Sequence, residues 1–153
     1  MGALSSILRL LAAAALGVSA GAILTGAVIL VPFWQAVPPA DVLTWFAANA
    51  QRMLYFYGPL QSAGALLAVG VAVAVILGGS SNRLSAIVAA VLALAVFVPY
   101  FLYFQHANAS FANATITVAD VPRELTRYAQ WQWSRTGLSL AAFVASLLAL
   151  RRN

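Results

Sequence analysis

The chain has 153 residues, of which 63% are hydrophobic and only 7% are charged, and its formal net charge is +5. An ordinary soluble domain has about 25% charged residues, so this composition excludes a water-soluble globular fold and indicates a membrane protein. The basic residues are all arginines scattered along the chain, and they form no stripe of the kind that binds nucleic acid. The absence of cysteine excludes disulfides and thiolate metal sites within the chain.

Four apolar stretches follow one another along the chain, each close to the roughly 20 residues that a bilayer-spanning helix needs. They cover about residues 7–31, 53–77, 84–104 and 128–150. The first is too long for the core of a cleavable signal peptide, so it is interpreted as a retained span. The prediction is an all-α membrane protein with one domain, an antiparallel bundle of four transmembrane helices. Its outer connections are residues 32–52 and 105–127.

The orientation in the membrane is predicted from the arginines. Alternation of the spans divides the arginines equally, and the acids, which contribute little to the positive-inside rule, cannot break the tie. One side receives Arg9, Arg83, Arg151 and Arg152. These arginines lie in short connections or at the termini, without other charges, which favours a cytoplasmic location of both termini. We expect an integral protein of a bacterial inner membrane in this orientation.

Helix starts are predicted in both outer connections. After Pro38 and Pro39, Asp41 is a predicted N-cap, and the stretch ADVLTWFAANAQRML that follows has apolar residues at helical spacing. This stretch is either an interfacial helix or an extension of the second span. In the second connection, the sequence DVPRE opens the last helix with Asp120 near its N-terminus.

Arg135 stands inside the predicted fourth span. Sixteen residues separate it from Arg151, or about 24 Å of helix, against a hydrocarbon core roughly 30 Å thick. Arg135 is therefore expected slightly inside the outer boundary, where an arginine either snorkels to the interface or has a partner. An ionisable residue within a span is a functional hypothesis by default. Arg52 repeats the situation at the outer start of the second span.

Other polar residues are expected at the same depth. Tyr128, Gln132 and Arg135 share one helical face, and in an antiparallel bundle this face reaches the outer end of the third span, where His106 lies. A lone histidine at a helix end is usually an interfacial polar residue, although its chemistry suits acid–base work. One histidine and three loop acids cannot easily supply a metal site, so none is predicted. The tryptophans are typical of an interfacial belt.

Four segments together carry a family resemblance: GAILTGAVILVPFW, YFYGPLQSAGALLAVG, NASFANATI and RYAQWQWSRTGLSLAAFVASLLAL. Over nearly its whole length the chain resembles the anthrone oxygenase-like family of small four-span membrane proteins, in bacteria largely a domain of unknown function. Members carry an aromatic residue, then Asn or His, then Arg at the start of the last span, and Tyr128, Gln132 and Arg135 take those places. Gln132 departs from the pattern, because an amide cannot do the acid–base work of a histidine.

The resemblance implies oxidation of a lipophilic polycyclic phenol, such as an anthrone, to a quinone by dioxygen without a bound cofactor. On this hypothesis His106 is the base, while Arg135 and Arg52 hold the developing negative charge. Contacts to the substrate are then expected from six residues: Tyr55, Tyr57, Asn108, Tyr128, Trp131 and Gln132. The implied partners are the lipid bilayer and a lipophilic aromatic ligand.

A second class of function stays open at this stage. Close behind the enzyme hypothesis, the chain also fits a non-enzymatic accessory or scaffold subunit of a larger membrane complex, whose outer arginines pair with Asp120, with Glu124 or with a partner protein. A homo-oligomer of this chain is the other assembly that stays open. A transporter is poorly supported, because proton-coupled transport usually needs an acid within a span, and the predicted spans contain none.

Overall fold

The structure, a computed structural model, describes residues 3–79 and 82–150. Helices account for most of these residues, and no strand occurs among them, which confirms the predicted all-α class. Arg151 and Arg152, on which the predicted orientation partly depends, lie outside the described residues.

The helices form four long segments, here termed rods 1 to 4. Rod 1 consists of α1 (Ala3–Thr25), a π-helical turn (Gly26–Leu30) and α2 (Val31–Ala36). Rod 2 is the single helix α3 (Pro39–Leu77). Rod 3 consists of α4 (Arg83–Ala95), α5 (Phe97–Pro99), a second π-helical turn (Tyr100–Phe104) and α6 (Gln105–Ala112). A short 3₁₀ turn (Val118–Asp120) precedes rod 4, the helix α7 (Val121–Leu148).

Three of the four rods are long and apolar enough to cross a membrane. The qualifying segments are Ser5–Ala36 of rod 1, Pro39–Leu77 of rod 2 and Arg83–Ala112 of rod 3. Rod 4 is less apolar, because it carries four charged residues: Arg123, Glu124, Arg127 and Arg135. The fold is therefore that of an integral membrane protein by the length and composition of its first three rods.

The rods extend further than the predicted spans. Residues 39–52 continue rod 2 as one helix, so this stretch is the extension of the second span and not a separate interfacial helix. Pro39 lies in its first turn, where the fixed φ of proline favours a helix, and Val42 and Phe46 attach it to the bundle as fully buried side chains. The N-cap is Pro38, whereas the predicted cap, Asp41, lies within the first turn.

The second predicted connection is also largely helical. Residues 105–112 complete rod 3, and rod 4 begins at Val121, seven residues before the predicted start at residue 128. Asp120 stands at the N-cap position of rod 4, without a capping hydrogen bond from its side chain. Its carboxylate instead accepts hydrogen bonds from Thr117 and Arg123. Only residues 113–117, between rod 3 and the 3₁₀ turn, are irregular in this region.

The rods pack as a closed ring. Rod 1 contacts rods 2 and 4, and rod 3 contacts the same two rods. The connections between successive rods are short, which makes sequence neighbours antiparallel. Every rod consequently faces the interior of one four-helix bundle.

Residue size differs sharply between the two halves of the interior. One half, termed the alanine half, is packed through small residues such as Ala65, Ala68, Ala90 and Ala93, which let helix backbones approach closely. The other, termed the aromatic half, has a different set of buried side chains. Its largest members are Trp34, Phe46, Tyr103, Phe104, Phe111 and Tyr128. Large rings hold the rods further apart there, so space between them has to be filled by side chains or left open.

Both π-helical turns lie next to a proline. Pro32 follows the turn in rod 1, and Pro99 precedes the turn in rod 3. Proline has no N–H to donate, and its ring clashes with the carbonyl four residues earlier, so the regular hydrogen-bond ladder is interrupted. Instead, Val31 N–H donates to the Gly26 carbonyl and Gln105 N–H to the Tyr100 carbonyl, each five residues back. Such turns occur frequently at functional sites.

The aromatic half predicts a contrast between two phenylalanines of rod 2. Phe46 is fully buried and contacts the rings of Trp34, Phe111 and Tyr128, so Phe46→Ala should lower the unfolding free energy by about 3 kcal/mol through the cavity it leaves. Phe56 is exposed on the outside of the bundle, so Phe56→Ala is the matched control. Equal stabilities of the two variants in detergent unfolding would contradict the packing described.

Candidate functional site

A cavity of about 370 Å³ lies in the aromatic half of the bundle, and residues from all four rods line it. It exists because small residues line it beside the large rings. These small lining residues are Gly26 of rod 1, Ala50 and Gly58 of rod 2, and Ala109 and Ala112 of rod 3. Both π-helical turns also contribute lining residues, among them Leu30 and Tyr100. The interruptions of rods 1 and 3 therefore shape this space.

Arg135 of rod 4 lines the cavity and is only 8% exposed. No hydrogen bond or ion pair to another described residue involves its guanidinium, and no acidic residue lines the cavity. Its contacts are with aromatic faces: Cζ lies 5.3 Å from the ring centroid of Phe104 and 5.9 Å from that of Tyr57. Arg135 is thus a buried cation held between rings without a negative partner.

The contacts of Arg135 within the protein do not offset the cost of burying its charge. Cation–π contacts contribute roughly 0.5–2 kcal/mol each, whereas burying an ion costs several kcal/mol. A guanidinium also has five N–H donors, and Nε is fully buried without an acceptor. The terminal nitrogens of the guanidinium are not among the fully buried donors, so an oxygen-bearing molecule in the cavity would pair with them.

Two further buried donors without partners belong to lining residues. They are the indole Nε1 of Trp34 and the amide Nε2 of Gln61, and both side chains are more than nine-tenths buried. Native proteins satisfy most buried polar groups, so an unpaired one requires an explanation. These two donors and Arg135 Nε are enclosed by protein atoms, so a ligand in the cavity reaches them only if side chains of the lining move.

Four other polar lining residues are fixed by hydrogen bonds. The Tyr128 hydroxyl donates to Asn108 Oδ1 at 3.0 Å, joining rods 4 and 3. The Gln132 amide donates through Nε2 to the Ile23 carbonyl at 2.8 Å, joining rod 4 to rod 1 beside its π-helical turn. The Tyr57 hydroxyl lies 3.3 Å from the Ala22 carbonyl, to which it donates. These bonds leave Arg135 as the unpaired charge in a pre-organised wall.

Five of the residues predicted from the sequence meet at this cavity. They are Tyr57, Asn108, Tyr128, Gln132 and Arg135, contributed by rods 2, 3 and 4. The spacing that placed Tyr128, Gln132 and Arg135 on one face of the last helix agrees with this arrangement. Gln132 occupies the place of the expected Asn or His, and its amide is committed to a backbone carbonyl.

The other four predicted residues lie outside the lining of the cavity. Arg52 and Tyr55 are exposed on rod 2, where the Tyr55 hydroxyl accepts a hydrogen bond from Gln51. Trp131 stacks on Tyr103 with ring centroids 5.4 Å apart. His106 is exposed and lines a shallow cleft on a different face of rod 3. The expected grouping of Arg52 and His106 with Arg135 is therefore absent, because the helical phase of rods 2 and 3 turns these side chains away.

The cleft at His106 contains a separate polar cluster. The Tyr103 hydroxyl donates to Glu124 Oε1 at 2.6 Å, and the guanidinium of Arg127 lies 5.3 Å from the Tyr103 ring centroid. Within the described residues, no group of three or more His, Cys, Asp or Glu side chains is placed to hold a metal ion. The cluster links rods 3 and 4 beside the aromatic half.

Sequence reasoning missed Trp34 and Gln61 as cavity residues. Gln61 is a polar residue in an apolar run, four positions after Tyr57 and therefore on the same helical face, so this signal was readable. Trp34 had no comparable signal, because a tryptophan near a span end is equally typical of the interfacial belt. Its burial depends on Phe46 and Trp45, which only the extension of rod 2 brings alongside.

The bond between Gln132 and rod 1 predicts a specific effect at Gly26. A Cβ atom added at Gly26 would lie 2.6 Å from Gln132 Nε2, so Gly26→Ala should displace the amide, break its bond to Ile23 and lower the unfolding free energy by about 1 kcal/mol. Gly21 of the same rod has no neighbour within 4 Å of an added Cβ, so Gly21→Ala should be neutral or stabilising. Thermal unfolding in detergent compares the two, and equal losses would refute the role of this contact.

Comparisons of the chain with protein-family models, with curated proteins and with solved structures found no match. The geometry of the cavity and the chemistry of its lining are therefore the grounds on which a function is proposed for this chain.

Proposed function

We propose that this protein is an integral membrane protein that binds a lipophilic polycyclic phenol in the cavity as its oxyanion and lets dioxygen oxidise it to the quinone. The observation that carries the proposal is Arg135, a buried cation without a counter-charge in a lining that is otherwise mostly apolar and aromatic. A flat aromatic molecule with an anionic oxygen satisfies both properties, since its rings contact apolar walls and its oxygen pairs with the guanidinium.

Rod 4 crosses the membrane beside the other three rods in this proposal. Its 28 residues make a helix of about 42 Å, longer than a hydrocarbon core of roughly 30 Å. Its second half exposes Leu140, Val144, Leu147 and Leu148 on the outside of the bundle, as a lipid-facing helix would. The polar first half then lies at the outer membrane surface, and both termini are cytoplasmic.

The chemistry follows from charge stabilisation. An anthrone has an acidic ring methylene, and loss of one proton gives a carbanion whose charge is shared with the ring oxygen. A guanidinium in a low-dielectric site stabilises that oxyanion more strongly than water does. Dioxygen then takes electrons from the carbanion: the methylene loses both hydrogens and becomes a carbonyl, while the second oxygen atom leaves as water. Oxidation of the ring and reduction of dioxygen balance without another reductant.

The proton is released without a strong base in the lining. Neither a carboxylate nor an imidazole lines the cavity, so acidification by Arg135 replaces general-base catalysis, and the proton passes to water at the mouth. The exposed amides of Gln51 and Gln105 lie there and are able to order that water. His106 therefore has no direct part in this version of the reaction.

A second candidate function is suggested by the same observation, that no carboxylate or imidazole lines the cavity. If deprotonation within the cavity is too slow, the protein is a non-enzymatic accessory subunit that holds a quinone or phenol for a partner. Both candidates need ligand binding at Arg135, and they differ in whether dioxygen is consumed.

Arg135→Met separates a ligand-binding role from a structural one. Removal of an unpaired buried charge should leave the unfolding free energy unchanged or raise it by about 1 kcal/mol, while binding of an anthrone to the purified protein in nanodiscs should be lost. The measurements are thermal unfolding, titration of tryptophan fluorescence with anthrone, and dioxygen uptake with formation of anthraquinone. A variant that is less stable but still binds anthrone would show Arg135 to be a structural anchor.

Gly58→Leu tests the cavity without touching Arg135. An added Cβ at Gly58 has no neighbour within 4 Å, and the residue lines the cavity, so the larger side chain should fill the space and abolish binding in a folded protein. Gly70→Leu in the same rod is the matched control, since Gly70 also has open surroundings and does not line the cavity. Arg123→Gln, at an exposed arginine paired with Asp120, controls for loss of a positive charge. Binding and dioxygen uptake should match the wild type in both controls.

The proposed topology is testable because the chain has no cysteine. Single cysteines at Asn82, between rods 2 and 3, and at Asn113, between rods 3 and 4, should react with a membrane-impermeant maleimide from opposite sides. In cells expressing the protein in the inner membrane, Asn113→Cys should label from outside, and Asn82→Cys should label after the membrane is opened. Labelling of both from the same side would contradict a crossing by rod 3.

A further inference from the structure

The mouth of the cavity is identified by the exposure of its lining residues. The lining side chains of rods 1 and 4, among them Trp34, Gln132 and Arg135, are buried or half-buried and form the back wall. All exposed lining residues belong to rods 2 and 3: Gln51, Leu54, Phe101, Gln105 and Ala109. The cavity therefore opens sideways between rods 2 and 3 and not only along the bundle axis.

The two edges of this mouth differ in polarity. Leu54 is 49% exposed and Phe101 is 61% exposed, and they lie near the outer ends of the apolar stretches at about residues 53–77 and 84–104. Their neighbours Phe56 and Leu102 are large, apolar and exposed as well. Gln51 and Gln105, one turn away on each rod, form the polar edge nearest the connections. The apolar edge thus faces lipid and the polar edge faces the membrane surface.

The size of the cavity limits what it can enclose. Ligand sites for small molecules typically have about 300–1,000 Å³, and this cavity, at about 370 Å³, is near the lower end. It has room for a fused-ring head beside Arg135 but not for a long hydrocarbon chain in addition. A chain attached to the head has one apolar way out, between Leu54 and Phe101.

We infer that the ligand is an amphiphile with an oxygenated aromatic head and a long alkyl or isoprenoid tail, whose head occupies the cavity while its tail runs between Leu54 and Phe101 into the bilayer. The inference rests on the proposed function, in that Arg135 holds the head. The substrate class is accordingly narrower than polycyclic phenols in general. Such a ligand reaches the site by diffusion within the membrane, and its tail adds contacts that a tailless analogue lacks.

The test compares two naphthoquinones with the same ring and methyl group: menadione, which has no tail, and a menaquinone with an isoprenoid tail. The protein is reconstituted in vesicles, both quinones are titrated at known concentrations within the membrane, and quenching of tryptophan fluorescence reports binding, since Trp34 lines the cavity. The concentration of each quinone is expressed per lipid molecule, because menadione and menaquinone partition differently between water and the membrane. The tailed quinone should bind about tenfold tighter, because its tail contacts Leu54 and Phe101, here termed the rim of the cavity.

Rim variants locate the tail. The double variant Leu54→Trp with Phe101→Trp narrows the gap and should weaken binding of the tailed quinone about tenfold more than binding of menadione. The control pair Phe56→Trp with Val98→Trp lies on exposed positions outside the lining and should affect neither quinone. Because the added tryptophans change the fluorescence, competition by each quinone against a radiolabelled menaquinone measures affinity in these variants.

The outcomes distinguish the inference from the function on which it rests. Equal affinities of the two quinones for the wild type, or equal weakening of both by the rim variant, would overturn the lateral path. Failure of both quinones to bind the wild-type protein would overturn the inference alone, because the titration of wild type and Arg135→Met with anthrone tests the proposed binding of an oxyanion separately. The unfolding temperature of the reconstituted rim variant is the control. If it equals that of the wild type, the weaker binding of the tailed quinone does not come from a folding defect.

Discussion

The guanidinium of Arg135, buried among aromatic rings without a counter-charge, is the constraint around which the aromatic half of this bundle is organised. Burial of an ion costs several kcal/mol, and two cation–π contacts offset only part of that cost. Water or a ligand in the cavity has to complete the coordination of the charge. Arg135 lines the cavity together with small residues. Hydrogen bonds fix Tyr128 and Gln132 beside it.

The contrast between the two halves of the bundle explains how a small membrane protein can carry such a site. Close packing of alanines in one half holds the rods together without large side chains. In the other half, large rings separate the rods, and prolines introduce π-helical turns that redirect the lining residues. The buried charge thus lies in the half that is packed through large rings, apart from the half that is packed through alanines.

Hydrophobic patterning predicts the four long helices. It predicts which residues share the cavity only when those residues lie on the same helix. Spacing along the last helix placed Tyr128, Gln132 and Arg135 on one face, and all three line the cavity. His106 and Asn108 show the limit: they are two residues apart, and a helix turns by about 200° over that distance, so one faces the cleft and the other the cavity. The rotation of a rod relative to its neighbours depends on packing, which periodicity does not specify. The polar outer stretches were predicted as connections because their buried contacts, such as Phe46 against Trp34, are tertiary.

The most direct test of the central claim is a native mass spectrum, with an ultraviolet–visible spectrum, of the protein purified from membranes in mild detergent. The account predicts a bound molecule with aromatic absorption in the wild-type protein and its absence from Arg135→Met purified in the same way. A wild-type protein that carries only bulk lipid, indistinguishable from the variant, would contradict the assignment of Arg135 as the ligand-binding cation. Co-purification of a second polypeptide with an empty cavity would instead point to the accessory-subunit role.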